Sequence, residues 1–146
     1  ALWTESEAHA SFCIMETLWE QLGGEEKMER IINDFVDRAI TDPAVNYTRN
    51  GRYALDEKAI QFSKKSALEF FSAATGGPLQ YSGRSIVDIH RNMQISNSEF
   101  DAICEDIRRS LERNGIGVSL QDVVMAKVEA TRPLIVDPKF RSGFQS

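Results

Sequence analysis

The sequence predicts an all-α fold. Three observations carry this. Apolar residues recur at helical spacing along nearly all of the 146 residues. The stripes are separated by Gly-Gly, Asp-Pro and Gly-Gly-Pro breaks. No run alternates apolar and polar residues as a half-buried strand would. The length suits one domain around one core, and no repeat, low-complexity tract or linker divides the chain.

The elements follow in order. Residues 1–10 are polar and need not be ordered by a core. Met15, Leu18, Trp19 and Leu22 form one face of a short helix that Gly23-Gly24 ends. Met28, Ile31, Ile32, Phe35, Ala39 and Ile40 make the stripe of a second helix. Asp42-Pro43 stops it, because proline disfavours a helical residue before it. Residues 44–55 are irregular, with a turn at Asn50-Gly51. A third helix spans about Asp56 to Thr75, with Ile60, Ser63, Ala67, Phe70, Phe71 and Ala74 on its apolar or small face, and Gly76-Gly77-Pro78 ends it. After a loop from Leu79 to Gly83, a short helix carries His90. Ser96-Asn97-Ser98-Glu99 is a capping box, and Ile95 and Phe100 stand where a hydrophobic staple would form. That helix ends near Asn114-Gly115. A cap at Ser119-Leu120-Gln121-Asp122 is expected to open the last helix, and Pro133 to end or kink it.

Composition narrows the function classes. The net charge is −5 with both signs interspersed, which argues against nucleic acid. No apolar run approaches the ~20 residues of a membrane span. Cys13 and Cys104 lack metal-ligand spacing; Cys104 falls on a helix, where a buried thiol is the default, and whether the two pair stays open. The chain begins at Ala1 rather than Met and shows no signal peptide as it stands, so a cytoplasmic and an exported home both remain open.

His90 is one of only two histidines, and the other, His9, lies in the polar N-terminal stretch. An imidazole between apolar residues fits two readings: a core histidine whose N–H is satisfied, or the axial ligand of a haem iron.

Several segments, taken in order, resemble the truncated (two-over-two) haemoglobins of the first group. They are Leu18-Trp19-Glu20-Gln21-Leu22-Gly23-Gly24, Asn33-Asp34-Phe35-Val36-Asp37-Arg38-Ala39 with Asp42-Pro43, the run from Phe70 to Pro78, and Tyr81-Ser82-Gly83-Arg84 with Ile89-His90. Phe-Val on the second helix and Asn-Tyr after the Asp-Pro turn resemble a bacterial subgroup with exported members. The resemblance covers residues 16–136, leaving 1–15 as an N-terminal extension and 137–146 as a tail. It implies a two-over-two helical sandwich around one b-type haem (iron protoporphyrin IX), with His90 as the proximal iron ligand. It also implies porphyrin contacts from Phe35, Tyr47, Phe62, Ala67, Phe70, Phe71, Ile89, Met93, Ile95 and Phe100. Arg84 would be a propionate partner, since a guanidinium matches carboxylate geometry. For each aromatic, plain core packing is the competing reading, and for Arg84 a solvated surface residue.

The chain departs from that family at its ligand-binding residues. Where many members place a tyrosine on the second helix, Val36 stands; the distal-helix glutamine position holds Ser63, and Ser66 is the next polar position. The expected distal pocket of Val36, Ser63, Ser66 and Ala67 is therefore largely apolar. Dioxygen develops negative charge when it binds, and losing a charge-assisted donor worth ~1.5–3 kcal/mol weakens its retention by roughly one to two orders of magnitude. Tyr47 or Tyr53 could restore a hydroxyl. Lys64 or Lys65 could ligate ferric iron if deprotonated, although the helical face points them sideways or outward.

The function implied is reversible binding of diatomic gases (oxygen, carbon monoxide, nitric oxide) by a protein expected to be a monomer or weak dimer. The competing functions are a haem enzyme, a gas or redox sensor and a haem-free helical interaction domain. Nitric oxide dioxygenation would need an unidentified reductase, as the chain has no flavin or nicotinamide fingerprint. Peroxidase-like turnover would need a distal base that the sequence does not offer.

Overall fold

The computed structural model describes residues 16–140. His9, Cys13, Met15 and the polar stretch 1–10 lie outside the described residues. The helices are α1 (Leu18–Gln21), α2 (Gly24–Thr41), α3 (Glu57–Thr75), α4 (Ile86–His90), α5 (Asn97–Arg113), α6 (Val118–Glu129) and α7 (Arg132–Ile135), followed by a 3-10 turn at Pro138–Phe140. No strand occurs among the described residues. The pairs α2–α3 and α5–α6 pack as two layers, with α2 also against α5; the short helices α4 and α7 meet at one side.

Local chemistry sets these boundaries. Thr17 caps α1 in a reciprocal box with Glu20, a Thr-x-x-Glu signal that the sequence reading passed over. α2 buries Met28, Ile31, Ile32, Val36 and Ala39, spaced to share one face. It stops where Asp42 turns extended before Pro43. Asp56 caps α3 through the Ala59 N–H. Ser96 and Glu99 form the expected capping box at the start of α5.

Two expectations at the C-terminal end need correction. Gly117, not Ser119, is the cap residue of α6; its backbone is already extended, and its carbonyl accepts the Gln121 N–H at 2.9 Å. Pro133 does not end α6, which stops at Glu129. It sits in the first turn of α7, where a missing N–H removes no helical bond.

The break after α3 is the tightest joint. Gly76 adopts φ +83° and closes the helix, and the Gly77 N–H donates to the Ser72 carbonyl at 2.7 Å. A Cβ built on Gly77 would lie 2.4 Å from Ser72 Oγ and 2.5 Å from the Trp19 ring. Ser72 is fully buried, and its Oγ accepts the Leu79 N–H at 2.9 Å. This aims the loop toward α4. The core is Trp19, Leu22 and the α2 stripe against Phe71, Phe100, Ile107, Leu111, Val124 and Val128. Full burial of each large side chain contributes ~1.5–3 kcal/mol. Among the described residues no helix is long and apolar enough to cross a membrane.

Candidate functional site

A cavity of about 530 Å³ opens between α3, α4, α5 and the irregular segment 42–56, within the size range of pockets that bury a whole organic ligand. Helix α3 supplies Phe62, Ser63, Ser66, Ala67, Phe70 and Phe71 to its wall, and α2 supplies Phe35. Phe62 stands at the mouth with 65% of its surface exposed. The other side carries Ile89, His90, Met93, Ile95 and Phe100. The sequence reading missed Tyr81, Ile103, Ile107, Val128, Thr131 and Ile135 on that wall. Ile103 and Ile107 follow Phe100 at i+3 and i+7 and could have been found from that spacing.

His90 is half-buried at the end of α4. Its Nδ1 lies 2.8 Å from the Ile86 carbonyl, so Nδ1 carries the proton and Nε2 is left with a free lone pair. Burial lowers its pKa, with the bond to Ile86 pulling the other way, and the ring stays neutral at physiological pH. A neutral imidazole with one anchored nitrogen is the state a metal ligand requires.

The segment 42–56 forms a constructed wall. Asn46, Arg49 and Asn50 hold positive φ values of 55°, 54° and 62°. Such backbones cost about 1–3 kcal/mol unless their surroundings fix them, and here they are fixed. Asn46 Oδ1 accepts the Asn50 N–H at 2.9 Å, and Thr48 accepts the Tyr53 N–H at 3.0 Å through its carbonyl. Arg49 donates to the carbonyls of Met93 and Gln94 at 3.0 and 3.1 Å and pairs with Glu99 at 3.0 Å. Arg52 donates to the Asn92 carbonyl at 2.9 Å. The segment is thereby latched to the turn that follows His90. Tyr47 reaches inward from it, with its hydroxyl 2.5 Å from Ser63 Oγ. Burial raises the Tyr47 pKa, more than the bond to Ser63 lowers it, so it stays a phenol.

Two expected site residues stand elsewhere. Val36 is buried in the helical core and does not line the cavity. Arg84 is exposed, off the cavity wall, and its guanidinium donates to the Asp88 carbonyl at 3.0 Å. Lys64 pairs with Asp37 at 3.0 Å and Lys65 with Glu69 at 2.9 Å; neither lines the cavity. Lys65, with the Ser82 N–H and hydroxyl, holds the Glu69 pKa down at about 2.

The bacterial-like globin family matches residues 17–136. The chain belongs to the bacterial-like globins. Among its relatives, this globin is 26% identical over 117 residues to the Group 1 truncated hemoglobin of Tetrahymena pyriformis, covering 80% of this chain and 92% of that one. It is 28% identical over 106 residues to that of Synechocystis, covering 70% and 81%. The solved Fe(III) form of the Tetrahymena pyriformis protein matches at a TM-score of 0.74, at 24% identity, over 84% of this chain and 99% of that one. The 2/2 hemoglobin of Synechococcus, solved in the cyanomet state with covalently attached heme, matches at 0.65 with 27% identity, over 78% and 91%. The helical architecture of this globin is thus the two-over-two fold.

Proposed function

We propose that this globin holds one b-type haem through His90 Nε2 and reversibly binds diatomic gases. The carrying observation is His90 itself: a neutral imidazole, anchored through Nδ1 at 2.8 Å to Ile86, in the wall of an apolar cavity of about 530 Å³. The residues present fit the group. Phe35, Phe70, Phe71, Met93, Ile95 and Phe100 supply apolar faces for a porphyrin, and Ala67 leaves room beside them. When bound, the haem would supply an iron able to take up a diatomic gas. The chain supplies the rest: the Ile86 carbonyl orients the imidazole, the aromatic wall excludes water, and the latched segment closes one side.

The propionate role expected of Arg84 finds no support in its geometry, since its guanidinium donates to the Asp88 carbonyl at 3.0 Å, and Arg49 in the cavity wall is already bonded to Met93, Gln94 and Glu99. A monomeric or weakly dimeric state, with residues 1–15 and 137–146 as extensions to the gas-binding unit, is part of this reading; an unidentified reductase belongs to the competing dioxygenase reading.

The test is the visible spectrum of the purified protein in ferric, dithionite-reduced and carbon monoxide forms. A Soret band that moves on reduction and again with carbon monoxide is expected. In His90→Ala the haem should be lost or loosely held, because its iron would have no protein ligand. No Soret band after added hemin, or an unchanged ferrous spectrum in that variant, would sink the proposal.

A further inference from the structure

The gas-binding reading leaves one feature of the cavity unused: a pair of hydroxyls from different elements that meet inside it. Tyr47 comes from the irregular segment and Ser63 from α3, and both line the cavity whose other side carries His90. The Tyr47 hydroxyl lies 2.5 Å from Ser63 Oγ. A phenol is the more acidic partner and the better donor, so Tyr47 donates and Ser63 accepts.

The Ser63 proton is then the question. A serine or threonine inside a helix can give it to the carbonyl one turn back. Thr41 does so to Asp37, Thr75 to Phe71 and Ser110 to Asp106. Ser63 shows no such bond; its hydrogen bond is the one it accepts from Tyr47. Its own O–H is thereby available to a ligand in the cavity that Ser63 lines, and accepting from a phenol makes it a stronger donor.

We propose that Tyr47 and Ser63 form a two-hydroxyl relay that hydrogen-bonds a diatomic ligand in the cavity, with Ser63 as the contacting donor and Tyr47 as its positioning residue. This rests on the haem reading above. The relay supplies from a loop the hydroxyl that Val36, buried in the core, cannot supply from α2. Arg49 and Arg52 hold that loop against residues 92–94, so the placement of Tyr47 does not depend on its own side-chain bond. The ligand class favoured is one that develops negative charge on binding, dioxygen over carbon monoxide.

Haem-loaded Ser63→Ala, Tyr47→Phe and the double variant test this through two readouts, the carbon monoxide stretching frequency of the reduced protein and the rate of oxygen release. Ser63→Ala should raise the stretching frequency and speed oxygen release roughly tenfold or more, the loss of one charge-assisted donor. Tyr47→Phe should move both readouts the same way by less, and the double variant should match Ser63→Ala alone, since the two act in series. Wild-type readouts in Ser63→Ala would overturn the relay while leaving haem binding intact, as would a Tyr47→Phe effect that persists in full without Ser63. A protein with no Soret band would overturn the relay and the gas-binding reading together.

Discussion

The Arg49 guanidinium sits 3.0 Å from the Glu99 carboxylate, with only 11% and 20% of the two side chains exposed. Glu99 also accepts the Ser96 N–H at 3.1 Å, so one carboxylate caps α5 and holds the cavity wall. A shielded pair loses more from the removal of one partner than it contributes as a pair, because the other charge stays behind. Arg49→Ala should lower stability in urea by about 2–3 kcal/mol and speed haem transfer to an acceptor apoprotein. Wild-type stability and transfer rate would show that the latch does not hold the wall.

Asp106 carries a pH dependence. It is 7% exposed, and its Oδ2 has no partner. Burial first, and then the neighbouring Asp42, raise its pKa to about 7, against the pull of Arg38 and Arg109. The folded protein therefore holds a proton here that the unfolded chain releases above its ordinary value of about 3.9. The stability tied to that proton is full below pH ~4 and is lost as pH rises through about 7. Asp106→Asn keeps the shape and offers N–H donors to Asp42. It should raise the urea midpoint near pH 8, and the fall in wild-type stability between pH 5 and 8 should flatten. An equal fall in both proteins would place the titration elsewhere.

Gly77 has no room for a side chain. Its Cβ would meet Ser72 Oγ and the Trp19 ring at 2.4 and 2.5 Å, and both neighbours are buried. Gly77→Ala should cost about 1–3 kcal/mol of stability, the usual price of overpacking, read as a drop in the urea midpoint with an unchanged slope. A wild-type midpoint would mean that Trp19 yields freely.

Much of the fold was legible because helices announce themselves locally. The α2 stripe, the Asp42-Pro43 stop, the Gly76-Gly77 close and the Ser96–Glu99 box are each decided within a few residues. The Ser119 and Pro133 expectations failed for one reason: a residue suited to a cap or a break marks a boundary but not which side the helix lies on. The cavity wall on α3 was legible from its spacing, Ser63, Ala67 and Phe70 included. The wall from the irregular segment was not. Arg49 and Arg52 reach carbonyls of residues 92–94, contacts that no periodicity encodes. Arg84 was read as the propionate cation, and only the fold shows its guanidinium turned to the Asp88 carbonyl.

The wall built from residues 42–56 also sets how the pocket breathes. Its anchors to the far side span 40, 44 and 45 residues of sequence, and none belongs to a helix ladder. Breaking them opens the pocket while α2, α3 and α5 keep their own bonds. Amide protons of the segment should then exchange through local opening, at a free energy well below that of the helices. On the haem reading, cofactor exchange should take the same route, so that this globin would load or release its haem without first unfolding.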